Sequence, residues 1–152
     1  MSETEKTGGI EQITTATPEG EAYLRKISKP IDFNNSEDLE VMKETAERLT
    51  EFCKDAPCFA MASVQIPPAA GSKAQAHEPV RMVYLKHTVE TTDGAADEHK
   101  ILVNPVVTSR KGKTQYWEAC MSCPGDFALV ERPYELTLAY QDICGGGAYR
   151  NN

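Results

Sequence analysis

Leu39, Met42, Ala46, Leu49 and Cys53 recur at steps of three and four residues. That spacing lines up one face of an α-helix and no face of a strand. Ser36 stands ahead of the run as the expected N-cap, and Glu37 and Asp38 fall in the first turn, where carboxylates face the positive end of the helix dipole. The chain reads differently after Pro57. CFAMASVQIPP at 58–68 is small and apolar and closes on two prolines, as a buried turn or short strand would. VRMVYL at 80–85 and ILVNPVV at 101–107 are β-branched or apolar runs of strand length. TQYWEAC, FALVER and ELTLAYQ bring the set to about five strands, the last with Leu136, Leu138 and Tyr140 on one face. One helix followed by mostly strands predicts an α+β fold with antiparallel sheets. The polar stretch KHTVETTDGAADEHK at 86–100 is expected to be a long surface loop.

The segment before the helix is less apolar. Residues 1–20 are rich in Thr, Glu and Gly and are expected to be a flexible tail, because they offer little to offset the entropy of ordering. AYLRKISKPIDFNN reads as an extended stretch broken at Pro30 and Asn34-Asn35. Residues 21–152 are then expected to form a single domain, the size at which one hydrophobic core suffices.

Charge narrows the partners. A net charge of −7 with no basic stripe argues against nucleic acid or an anionic membrane surface, since both are bound through clustered Lys and Arg. The apolar runs are far shorter than the ~20 residues that cross a bilayer. MSETEKTGGIEQ shows no signal or transit pattern, so a cytoplasmic setting is expected. Five cysteines, an odd number without an export signal, point to free thiols or metal ligands over a disulfide framework.

The cysteines hold several readings open. EACMSCPG at 118–125 sets Cys120 and Cys123 in a C-x-x-C spacing, and with Cys53 and Cys58 they would supply the four thiolates of a structural zinc site. A redox pair would need its first thiol at a helix N-terminus, whereas Pro124-Gly125 follows at once in a strand-and-turn context. Simple packing of two small side chains is the third reading. His77, His87 and His99 all lie in or beside polar stretches. His77-Glu78 opens like a helical HExxH motif, but Pro79 interrupts it and Arg81 stands where the second histidine belongs. No nucleophile elbow marks Ser63 or Ser122. The chain by itself offers thiols and one buried-looking amide, Gln65.

Those pieces together carry a resemblance. CFAMASVQI at 58–66 resembles the first signature of peptide deformylases, GxGLAAxQ, with Cys58 and Ala60 at its glycines and Gln65 matching. EACMSCPG resembles the second, EGCLSxPG, with Glu118, Cys120, Ser122, Pro124 and Gly125 matching. YLRKISKPI, ILVNPVV and ALVER fall in the family's order, so the likeness covers about residues 22–144.

The resemblance implies a deformylase-like α+β fold and metal-dependent removal of the formyl group from N-formylmethionyl peptides. Cys120 is the implied thiolate ligand of an iron(II) or zinc ion. Gln65 and the backbone N–H of Met121 would stabilise the developing oxyanion. Phe59 and Ala60 would present backbone groups to the peptide, Tyr116 would line the methionine pocket, and Glu118 and Arg132 would pair behind the metal ligand. Cys123 falls at a variable position of the signature.

The family's third signature, an HExxH helix carrying two metal ligands and the acid/base glutamate, is not found in the 152 residues. Three expectations follow: tight metal binding and turnover fail in this chain as it stands, an apolar groove is exposed, and a protein partner covers it. A pseudoenzyme or peptide-binding module is the companion reading.

Overall fold

The computed structural model describes residues 10–143 and 149–151, the last three by their backbone only. Two helices, α1 (Pro18–Leu24) and α2 (Ser36–Cys53), precede seven strands. These are β1 (Ala60–Ala62), β2 (Met82–Thr91), β3 (Gly94–Lys111), β4 (Thr114–Cys120), β5 (Cys123–Arg132), β6 (Glu135–Asp142) and β7 (Tyr149–Asn151). A five-stranded antiparallel sheet has the order β1-β2-β3-β6-β7, and β4 and β5 form a separate two-stranded ribbon. The α+β expectation with antiparallel sheets holds.

Helix α2 lies where its periodicity placed it. Val41, Met42, Ala46, Leu49, Phe52 and Cys53 are buried on one face, in one core with Met61, Met82, Tyr84 and Val103 from the sheet. Its cap differs by one residue from the expectation. The Asn35 carboxamide accepts from the N–H groups of Glu37 at 2.9 Å and Asp38 at 3.1 Å, while Ser36 is the first helical residue. Asn and Ser cap about equally well, so sequence alone does not separate neighbours of these two types.

The stretch read as a surface loop is instead a hairpin. Pairing runs from Met82↔Val103 out to Thr91↔Gly94 without interruption, and Thr92-Asp93 turns the chain. Gly94 at φ +117° takes a conformation that a side chain would strain. The outer half of β3 is exposed, so its ladder is held by backbone bonds and not by burial, and hydrophobic patterning cannot reveal it.

The N-terminal segment also departs from expectation. Residues 10–24 are not a loose tail followed by extended chain. Ile10 is buried in the core, Thr17 caps α1 through the Gly20 N–H at 3.0 Å, and Pro18 opens the helix. The cause is tertiary: Ile13 N–H donates to the Gln65 carbonyl at 2.7 Å and Thr15 N–H to the Ser122 carbonyl at 2.8 Å. Extended backbone resumes near Lys29, which bridges Val80 in parallel.

Asn104 locks that extended segment to the sheet. Its side chain accepts from Ile31 N–H at 2.8 Å and donates to the Ile31 carbonyl at 2.9 Å and to Gln141 Oε1 at 2.6 Å. It sits at φ 51° in a bulge of β3, between the pairings Val103↔Gln141 and Val106↔Ala139. A cleft of about 660 Å³ lies between α2 and the β3/β6 side of the sheet. Ala46, Ile101 and Tyr140 line it, but Glu47, Glu51 and Lys54 charge its rim.

Candidate functional site

Directly after β1 the chain turns through a short 3₁₀ segment, Ser63–Gln65. Ser63 is buried and donates its hydroxyl to the Val80 carbonyl, anchoring the turn to the chain leading into β2. Gln65 at its end has both ends of its carboxamide engaged. The Oε1 accepts from Ala62 N–H at 2.9 Å, which leaves the NH₂ group aimed away from β1. That group donates to Ser122 Oγ at 3.0 Å and lies 3.8 Å from the Cys120 thiol. An amide fixed at its oxygen presents its donors in one direction, which is the arrangement that stabilises a developing negative charge at low reorganisation cost.

Cys120 closes β4 and Cys123 opens β5, opposite each other across the turn Met121-Ser122. Both are free thiols; Cys120 is exposed and Cys123 half-buried. Beyond them the ribbon carries a bulge: Cys120 pairs with Cys123 but Ala119 pairs with Phe127, so Pro124–Asp126 loop out of register, with Gly125 at φ +83°. The C-x-x-C is thus a strand-turn-strand element, without the helix N-terminus that a redox pair requires. Met121 is partly buried against the core, and its carbonyl accepts from the Gln12 amide.

The structure therefore brings Gln65, Cys120 and the Met121-Ser122 turn together. It adds residues that sequence reasoning left out. Ser122, matched in the signature but given no role, is buried and bonds through its hydroxyl to Gln65 and through its carbonyl to Thr15. Gln12 and Ile13 complete a strap over both turns. The signal available for that strap was the pair Ile10 and Ile13 in an otherwise polar segment.

The other candidates sit around this centre. Phe59 is 84% exposed and its carbonyl accepts from Lys86 N–H at 2.7 Å. Ala60 lies on β1, which forms one edge of the five-stranded sheet and, among the described residues, pairs with β2 on one side only. Tyr116 is exposed on β4, four residues before Cys120. Glu118 and Arg132 make a two-pronged ion pair across the ribbon at 2.9 to 3.2 Å. The Glu118 hydrogen bonds and charge hold the Arg132 guanidinium above its usual range. These bonds join the two side chains to each other across the ribbon.

The sequence matches the family model described as Polypeptide deformylase over residues 10–147. The chain belongs to the polypeptide deformylase family. Among its relatives, a peptide deformylase of Caulobacter vibrioides is 31% identical over 125 residues, covering 82% of this chain and 62% of the other. One from Rhodopseudomonas palustris strain TIE-1 is 29% identical over 122 residues, covering 80% of this chain and 62% of the other. The chain thus spans about 62% of the length of these curated deformylases. The fold agrees. A probable peptide deformylase from synechococcus phage S-SSM7 superposes with a TM-score of 0.67 at 22% identity, over 94% of this chain and 82% of that one. The Met-Ala-Ser-bound class I type b peptide deformylase of Acinetobacter baumannii gives 0.66 at 15% identity, over 94% and 81%.

Deformylases are metal-dependent, so the donor set has to be tested against a metal. The site offers the Cys120 thiol with Cys123 across the turn, while a catalytic centre takes about three protein ligands. Among the described residues no group of three or more His, Cys, Asp or Glu side chains could hold an ion. His77 faces Glu37, His87 faces Glu98 and His99 stacks on Tyr84, all committed elsewhere. The described residues do not fit an iron or zinc centre, and the alternative four-cysteine zinc reading finds no group of three or more ligands among them. No helix among them is long and apolar enough to cross a membrane.

Proposed function

We propose that this chain recognises N-formylmethionyl peptides, the substrates of its family, as the formyl-binding part of a deformylase site. The observation that carries the reading is the Gln65 carboxamide, held by Ala62 N–H at its oxygen and pointing its donors at the Cys120–Ser122 turn. A formyl carbonyl placed over that turn would accept from Gln65 and from the Met121 N–H. Edge strand β1, with Phe59 and Ala60, supplies backbone for an extended peptide to pair with, the strand-addition mode of peptide capture. Tyr116 provides apolar surface for the methionine side chain. Glu118 and Arg132 stiffen the β4–β5 ribbon behind Cys120. A cytoplasmic setting belongs to the same proposal and is supported by four free cysteines among the described residues.

Recognition is as far as the described side chains reach, so no hydrolytic step is assigned to them. The test compares formyl-Met-Ala-Ser with Met-Ala-Ser by calorimetry, on the chain alone and after incubation with Fe²⁺ or Zn²⁺. Tighter binding of the formylated peptide by about tenfold, lost in Gln65→Leu, is the expected result. Each tenfold corresponds to about 1.4 kcal/mol, the scale of one good hydrogen bond. Equal affinity for the two peptides would overturn the proposal. Formate release with either metal would extend it from recognition to hydrolysis.

A further inference from the structure

At the far end of α2 from its cap, two cysteines outside the site above face each other. Cys53, in the last turn of the helix, is fully buried. Cys58, on the segment leading to β1, is half-buried and packs against the same core. Each thiol is close enough to the other to be the largest influence on its charge. Cys58 also lines an open pocket of about 310 Å³ together with Phe59, Lys86, His87, Thr88 and Asp97. One sulfur is therefore reachable from solvent and the other is in contact behind it. The ammonium of Lys86 acts on both thiols and favours their charged forms. The Lys86 backbone N–H donates to the Phe59 carbonyl at 2.7 Å, which joins its strand to the segment carrying Cys58.

We propose that Cys58 and Cys53 form a peroxide-sensitive dithiol, in which Cys58 is the attacking sulfur and Cys53 resolves it to a disulfide. Contact with Cys53 outweighs the effect of burial and brings the Cys58 thiol down to about 7. The same contact, with burial, pushes Cys53 up. Thiolate is the reactive form, so near neutral pH the outward sulfur is the nucleophile and the inward one stays protonated until needed.

The steps balance with hydrogen peroxide as the oxidant. The Cys58 thiolate attacks one peroxide oxygen, the O–O bond breaks, and the departing hydroxide takes a proton to leave as water, giving Cys58 sulfenic acid. Cys53 sulfur then attacks the Cys58 sulfur, the S–O bond breaks, and the hydroxyl leaves with the Cys53 proton as a second water. Two thiols are oxidised by two electrons and one peroxide is reduced. The product ties the last turn of α2 to the segment before β1. The proposal does not rest on peptide recognition, because neither cysteine bonds to Gln65, although Cys58 adjoins the Phe59–Ala60 edge.

The full-length chain decides it. After brief peroxide treatment and alkylation, trypsin cuts at Arg48, Lys54 and Lys73. A Cys53–Cys58 bond then appears as peptides 49–54 and 55–73 joined and separable by dithiothreitol. That species is expected to form before any other linkage and to be absent in Cys58→Ser. In Cys53→Ala, Cys58 should persist as a sulfenic acid that dimedone labels. Should that buried variant fail to fold, the map of the unmodified sequence still gives the answer. Cross-linking at Cys120 or Cys123 while Cys53 and Cys58 remain thiols would overturn the proposal. So would peroxide leaving Cys58 no faster to react than Cys123.

Discussion

The Gln65 carboxamide donates to the Ser122 hydroxyl at 3.0 Å, fastening the turn after β1 to the turn between β4 and β5. The five-stranded sheet and the two-stranded ribbon do not share a strand, so this bond and the Gln12–Thr15 strap hold one to the other at the candidate site. Geometry at Cys120 is thus inherited from a glutamine on another element.

Replacing Gln65 with Leu keeps similar volume and removes both bonds. Ala62 N–H loses its acceptor and the buried Ser122 hydroxyl loses its donor. Orphaning such groups costs about 1–3 kcal/mol. The urea midpoint should fall accordingly, and the preference for formylated over free peptide should vanish in the same variant. An unchanged midpoint would show that the two turns are held without Gln65.

Asn104 separates backbone from side-chain effects. Asn104→Ala removes the bonds to Ile31 and Gln141 and places a Cβ residue at φ 51°, while Asn104→Gly removes the same bonds without the conformational strain. Both should destabilise by about 2–4 kcal/mol, from buried groups left unpaired. The Gly variant should be the more stable of the two by roughly 1 kcal/mol. Equal midpoints in chemical denaturation would mean that the left-handed backbone is not strained here.

How much of this was legible beforehand follows physical lines. Helix α2 was plain in the sequence because burial sets a period that a reader can count, and Met42, Ala46, Leu49 and Cys53 all lie on the expected face. The outer β2–β3 hairpin was not, because Thr88, Glu90 and Ala96 face solvent and their ladder bonds leave no pattern. The N-terminal strap was missed for the same reason. Ile13 and Thr15 act through backbone N–H groups, which every residue type except proline possesses. Gln65 and Cys120 could be picked out from family signatures, whereas Ser122, the residue joining them, gained its role only from the fold.

The ion pair between Arg132 and Glu118 is two-pronged but lies at the surface, with side chains 57% and 35% exposed. Exposed pairs contribute about 0–1 kcal/mol even with good geometry, and salt screens them. Arg132→Ala and Glu118→Ala should each shift the unfolding midpoint slightly, and a double-mutant cycle should return a coupling below about 1 kcal/mol that shrinks in 1 M salt. A coupling of several kcal/mol, insensitive to salt, would show that the pair is desolvated in solution.

Asp38 ties the start of α2 to the segment before it, and its effect should depend on pH. Its carboxylate accepts from Asp32 N–H at 2.8 Å and from Lys29 Nζ at 3.2 Å. The Asp32 N–H, then Lys29, favour the charged form against the opposing effect of burial, so the folded-state value lies below the ordinary 3.8. A group whose folded value is lowered stabilises the fold above its unfolded value, and that contribution is lost as pH falls through the folded value. The unfolding free energy of the native sequence should therefore exceed that of Asp38→Asn by a constant amount between pH 6 and 8. The gap should narrow as pH falls below about 4, where the unfolded chain begins to take up the proton. Denaturant titrations of both proteins at pH 7, 5, 4 and 3 measure it. A gap that stays constant to pH 3 would show that Asp38 acts through shape and hydrogen bonding alone, with no part played by its charge.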